Sequence, residues 1–329
     1  MPKVLFLPLN YGEVVQDGWY DAFRQAGCHL DIFDYYFETG NKQGRRQRVQ
    51  VVRNSLIEKA EQVRPDLIFM QIQHTDIIDA GTIIKIKQKM PKTIIANWTG
   101  DVRTYIPRTY KAMTSVSDYN FISSTGQLSM FKKEIKRNIQ YLQIGYNPKL
   151  YYPDAKQHRS YKYDVVFIGN NTTKENYPGR AEREETCRLL RGRFKDRFLL
   201  HGHGWPRNLR SKGSISQRHV LNAYHNSFCT ISVSHFNDIS HYFSDRLLMC
   251  LASGRPTVSL KFPSWESYFT DNCDLVIANS PQDIVKKVEH LLANRELAEY
   301  IGKSGAEKVR SEHTYLSRVN ELLDIVGLK

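Results

Sequence analysis

Short apolar runs about the length of a strand alternate along this chain with stretches whose apolar residues recur at helical spacing. The pattern predicts strands over residues 4–9, 30–33, 67–71 and 93–97, with helices over 19–26, 49–63 and 77–89 between them. Further strands follow at 119–123 and 139–143. A turn-rich stretch comes next, Gly145-Tyr146-Asn147-Pro148 and then Pro153, and it reads as a domain crossover. The alternation then restarts, with strands at 165–169, 197–201, 229–233, 257–260 and 275–277. Helices are expected at 180–193, 220–227, 244–254 and 281–293, followed by a final pair from 295 to the end. Strand, helix, strand in repetition implies parallel sheets covered on both faces. The expected fold class is therefore α/β, two doubly wound Rossmann-like domains facing a central cleft. The first domain is placed at 1–150 and the second at 151–329, with the last helix free to cross back to the first.

Composition supports this picture. The 329 residues are 41% hydrophobic and 12% aromatic, enough for two cores. No apolar run approaches the roughly 20 residues that span a bilayer, and the first residues are too soon interrupted for a secretion signal, so a cytoplasmic protein is expected. Five cysteines without paired spacing read as reduced thiols rather than a disulfide frame or a zinc site, and no metal is called for. Charge adds more. There are 47 basic and 34 acidic residues, a net +13, and residues 1–150 hold 21 and 14 of them, so the excess is spread over both halves. Such a surface favours polyanions: nucleic acid, anionic headgroups or phosphorylated glycans.

The stretch 243–269 carries the sharpest chemistry. It reads as a helix opened by Ser244 and closed by Gly254, with a buried strand after Pro256. Arg246 sits in its first turn, where the helix dipole disfavours a cation unless an anion lies beside it.

SDRLLMCLASGRP, the turn PSWESYF, the stretch SPQDIVKKVEHLLANRELAEYIGKSG and the ending EHTYLSRVNELL together resemble the group-1-like GT-B glycosyltransferases of the spore-maturation (CgeB) type. YDVVFIGN, HGHGWP and GYNPKLYYP fall in the same order upstream. The resemblance covers most of the chain, most specifically residues 160–325. It implies a C-terminal domain that binds a nucleotide sugar and an N-terminal domain that presents the acceptor. One departure stands out. Retaining members of the wider group-1 family carry two glutamates that here fall on His241 and Met249, and Glu266 is a candidate replacement for the lost ribose contact.

Candidates for the nucleotide sugar lie after the strands of the second half: Gly169 and Asn170; His203, Gly204 and Trp205; His235, Asn237 and Asp238; and Ser244, Arg246 and Glu266. Glycine turns with a fixed cation are what a departing diphosphate requires. In the first half, Asp101 directly follows a strand and is the first candidate for the base that deprotonates an acceptor hydroxyl, although an aspartate there can equally cap the next helix. Glu13 and Asp17 are rival bases. Gly12, His74 and the basic run containing Arg45, Arg46 and Arg48 are candidates for acceptor binding.

The function expected is transfer of one sugar from a nucleotide-sugar co-substrate, UDP-linked, to a hydroxyl of a polyanionic acceptor, with no cofactor required. A hydroxymethylated base in double-stranded DNA leads, and reaching it would need base flipping. A cell-surface glycan or lipid-linked acceptor is the alternative within the class, and a non-catalytic GT-B binding module the alternative outside it.

Overall fold

The computed structural model describes residues 1–9, 17–35, 45–72, 77–135, 138–154, 160–172 and 177–329. The chain forms two compact units. Unit one holds residues 1–143 and 315–329, and unit two holds 144–314.

Unit one is built on six parallel strands: β1 (Lys3–Leu7), β2 (His29–Ile32), β3 (Leu67–Met70), β4 (Ile94–Thr99), β5 (Tyr119–Ile122) and β6 (Ile139–Tyr141). They lie in the order β2-β1-β3-β4-β5-β6. The helices between them are α1 (Asp17–Gln25), α2 (Arg45–Val63), α3 (Ala80–Lys89), α4 (Arg108–Val116) and α5 (Leu128–Glu134). The apolar pattern did not reveal α4 and α5. Both are short and polar, and α5 buries only Phe131. Parallel pairing of β4 with β5 and of β5 with β6 nonetheless demands a crossover at each place.

Unit two has five parallel strands: β7 (Tyr163–Ile168), β8 (Phe198–His201), β9 (Ser227–Ser232), β10 (Thr257–Leu260) and β11 (Val276–Ala278), in the order β11-β10-β9-β7-β8. The helices α6 (Arg180–Phe194), α7 (Gln217–His225), α8 (Asp245–Ala252), α9 (Pro281–Ala293) and α10 (Arg295–Glu312) cover it. Side chains along β7 alternate between two cores: Val165 and Phe167 join Leu190, Ile231 and Ile284 on one face, and Val166 joins Leu248, Cys250 and Leu275 on the other. Burial on both faces is why the strands read as unbroken apolar runs.

The last helix, α11 (Tyr315–Ile325), belongs to unit one. It packs along α1, where the Tyr315 ring lies 4.8 Å from that of Trp19. All five cysteines are free, four of them buried. Among the described residues, no helix is long and apolar enough to cross a membrane.

Candidate functional site

Loops that leave the carboxyl ends of parallel strands gather at one edge of the sheet, and ligands enter where the strand order reverses. In unit two the chain runs from β7 to β8 on one side and then to β9 on the other. The reversal therefore falls between β7 and β9, and the loops 169–172 and 233–244 flank it.

Two arginines converge there. A Cβ placed on Gly169 would lie 2.6 Å from Nη2 of Arg183 and 2.9 Å from Nη2 of Arg246. The bare glycine is what admits both guanidinium groups. Both also lie against the ring of Phe167, at 5.2 and 5.5 Å from its centroid. Arg183 is 1% exposed. Its Nη1 donates to Nδ1 of His235 at 2.9 Å, while Nε and Nη2 have no acceptor among the described residues. Arg246 is half-buried, and its Nη1 reaches the carbonyl of Val233 at 3.3 Å and Oγ of Ser244 at 3.4 Å. Among the described residues no carboxylate pairs with either cation. Sharing one point above Gly169 puts their Nη2 atoms at most about 5.5 Å apart, where like charges repel by roughly 3 kcal/mol at an effective dielectric of about 20. Burial first, and then Arg246, pushes the Arg183 guanidinium well below its ordinary value. Burial, Arg183 and Arg246 push the His235 imidazole down to about 3, so it is neutral at physiological pH.

The glycine turns play a different part from the one expected. The backbone N–H of Gly169 donates to His201 and that of Asn171 to His203, at 3.0 and 2.8 Å, continuing the β7–β8 ladder. The His203 N–H goes to the Asn170 side chain at 2.8 Å, and the Trp205 indole donates to the Gly169 carbonyl at 2.9 Å. These groups are spent on holding the turn. Gly204 has φ +77, and a Cβ there would fall 2.0 Å from the Asn171 carbonyl oxygen, so glycine is needed for the close approach of the two loops. Trp205 packs on the unit-two core with its ring edge-on to Phe167, and the His203 side chain bonds Ser214. Both are scaffolding for the turn.

The start of α8 is likewise not as the sequence suggested. Ser244 has cap geometry but makes no side-chain cap bond, because its Oγ faces Arg246. Asp245 accepts the Arg246 backbone N–H at 2.8 Å instead. Asn237 closes its own loop, accepting from the Ser234 N–H and donating to Glu182 and the Ser234 carbonyl. Asp238 and Glu266 are exposed, the latter in the turn after β10. Met249 is buried in the core under α8, and His241 is half-buried with φ +56, its ring against Tyr268. A shallow cleft, with room for no more than about one water, lies beside the α8 start and is lined by Ser232, Ser234, Ser244 and Ser259 with Tyr242 and Phe262.

In unit one, Asp101 follows β4 and is exposed. It caps no helix, since α4 begins only at Arg108 with Pro107 at its cap. Its backbone N–H bonds Oγ1 of Thr99 at 3.2 Å, and among the described residues nothing holds its carboxylate. Asp17 is the exposed first residue of α1; burial, Asp34 and Asp17 push the Tyr20 hydroxyl up to about 12. Arg48 lies in the opening turn of α2. Gly12, Glu13 and His74 lie outside the described residues, as do the side chains of Arg45 and Arg46.

Arg183 was not among the residues the sequence singled out, although a signal exists. Arg183, Cys187, Leu190 and Phe194 form the buried stripe of α6. An arginine at a core position of a helix, just after the first strand of a doubly wound unit, is the signal that makes Arg183 a candidate.

Residues 180–324 match a family described as glycosyl transferase-like. Among solved structures the chain is similar to HepE of Anabaena in complex with UDP-glucose, at 9% identity and TM-score 0.66, covering 99% of this chain and 100% of that one. It is also similar to sucrose-phosphate synthase of Thermosynechococcus elongatus, at 12% identity and TM-score 0.63, covering 99% and 98%. A glycosyltransferase of Rickettsia africae matches at 12% identity and TM-score 0.64, covering 98% and 97%. No curated protein matches. The structural likenesses carry the fold, two Rossmann-like α/β domains of GT-B type. With the family match on that fold, the chain is a glycosyltransferase.

Proposed function

We propose that this glycosyltransferase takes a sugar from a UDP-linked donor and that Arg246, backed by Arg183, receives the diphosphate. The observation that carries the reading is the pair of guanidinium groups at the strand-order reversal with no carboxylate beside them among the described residues. As the bond between the anomeric carbon and the phosphate oxygen breaks, its electron pair stays with the diphosphate. Fixed cations stabilise that growing charge without having to reorganise. The solved complex of HepE with UDP-glucose supports the choice of nucleotide. Asp101 is the base we assign to the acceptor hydroxyl, since its exposed carboxylate is free of structural duty among the described residues. Within group-1-like enzymes, the quoted motifs favour the spore-maturation type.

The test is calorimetry with UDP, followed by a panel of nucleotide sugars scored for release of free nucleotide. UDP binding lost in Arg246→Ala supports the site; equal binding by wild type and variant rejects it. For the acceptor we keep a hydroxymethylated base in DNA, on the strength of a net +13 spread over both halves. Affinity for duplex DNA that falls steeply between about 50 and 200 mM salt is expected. Salt-insensitive or absent binding would leave the glycan or lipid-linked acceptor.

A further inference from the structure

His235 is attached to Arg183 in a way that fixes its chemistry. A guanidinium only donates hydrogen bonds, so the 2.9 Å contact from Nη1 of Arg183 makes Nδ1 of His235 the acceptor. In a neutral imidazole the proton then resides on Nε2. That Nε2 is buried and has no hydrogen-bond partner among the described residues. The ring is steadied from other sides too: Tyr177 packs edge-on at 4.9 Å, and the His235 carbonyl accepts the Gly179 N–H at 2.7 Å. A buried N–H with no acceptor is costly to keep. Arg183, reaching from α6, holds two further nitrogens with unpaired N–H groups, Nε and Nη2, the latter beside the Gly169 turn, so orphan donors collect around the reversal between β7 and β9. Such a set asks for an oxygen-rich acceptor.

We propose that His235 is a neutral hydrogen-bond donor of the nucleotide-sugar site, giving Nε2–H to a phosphate oxygen of the diphosphate, and that Arg183 is the positioning residue that sets its tautomer. This rests on the diphosphate reading of the Arg183–Arg246 pair. It assigns His235 a role distinct from acid–base catalysis, because the ring neither gains a proton at working pH nor gives one up. Burial, with the two neighbouring cations, disfavours its protonated form.

Histidine-selective ¹⁵N labelling of the full chain tests it, with UDP as the probe and His235→Gln to assign the resonance. The expected spectrum at pH 7 shows Nδ1 of His235 unprotonated and Nε2 protonated, unchanged at pH 5 while exposed histidines titrate. UDP should shift the Nε2–H signal. His235→Phe should bind UDP about tenfold more weakly, a loss typical of one hydrogen bond to a charged group. His235→Gln, whose amide can place an N–H near the same point, should retain most of the affinity. In Arg183→Lys the tautomer preference should relax. A proton on Nδ1, or wild-type UDP affinity in a folded His235→Phe, overturns the proposal while leaving the diphosphate site standing. Failure of the wild-type protein to bind UDP overturns both.

Discussion

Replacing Arg183 by methionine should make the free protein more stable while removing its response to nucleotide. Arg183 is almost fully buried, two of its N–H-bearing atoms lack acceptors, and its nearest charged neighbour is another arginine. Relief of the repulsion is worth roughly 3 kcal/mol at an effective dielectric of about 20. Removing the orphan N–H groups adds about 1–3 kcal/mol. Against this stand the bond to His235, about 1 kcal/mol, and the contacts with Phe167 at 5.2 Å and Trp205 at 6.0 Å, together about 1–2 kcal/mol. Methionine is flexible enough to fill the vacated space. The balance favours the variant by about 1–4 kcal/mol. For a unit of this size each kcal/mol moves Tm by about 2–4 °C, so a rise of roughly 2–16 °C is expected. Scanning calorimetry with and without saturating UDP reads both effects. Wild type should gain stability from UDP by mass action, and the variant should gain little. A variant that melts well below wild type would mean that Arg183 is a structural cation, and an undiminished UDP increment would remove it from the site. Arg246→Met is the companion; it relieves the same repulsion and loses only long bonds to Val233 and Ser244 and the Phe167 contact, so the Tm of the free protein should not fall.

Gly169→Ala should weaken UDP binding at least about tenfold with little loss of stability, because its backbone needs no glycine-only φ while its Cβ would displace both guanidinium groups; calorimetric titration decides. Acid should destabilise the protein partly through His235. Its folded pKa of about 3 lies below the unfolded value, so its contribution is intact above about pH 6.5 and shrinks as pH falls toward 3. The slope is at most about 1.4 kcal/mol per pH unit and smaller for a partly exposed ring; His235→Gln should flatten urea midpoints measured between pH 7 and 4.5, and unchanged curvature would contradict the assignment. Asp101→Asn should lower turnover by about 10²-fold or more at constant UDP affinity, and full activity would hand the base to another group.

Much of the architecture was legible because doubly wound sheets write themselves into apolar runs. β3 and β10 are buried along their whole length, and the sequence shows LIFM and TVSL there. The elements it hid were two short helices, α4, which buries Tyr110, Met113 and Thr114, and α5, which buries only Phe131, and only pairing of β5 with both neighbours requires them. Helix α8 was visible from its flanks, since Gly254 takes φ +74 against Pro153, as a closing glycine should.

The site was half legible, and the division follows from where each arginine gets its meaning. Arg246 stands out locally, as a cation in a first turn, although that turn turned out to be balanced by Asp245 next to it. The second guanidinium, which local sequence could not name, rather than the helix dipole, is what favours an anion there. Arg183 sits 63 positions away, and only the parallel pairing of β7 with β9 brings its helix and the Arg246 loop to the same point. Its burial against Phe167 and Trp205 converts a surface-like residue into an interior charge with no carboxylate partner among the described residues. A buried cation without a counter-charge is destabilising, and the diphosphate we propose would supply that counter-charge.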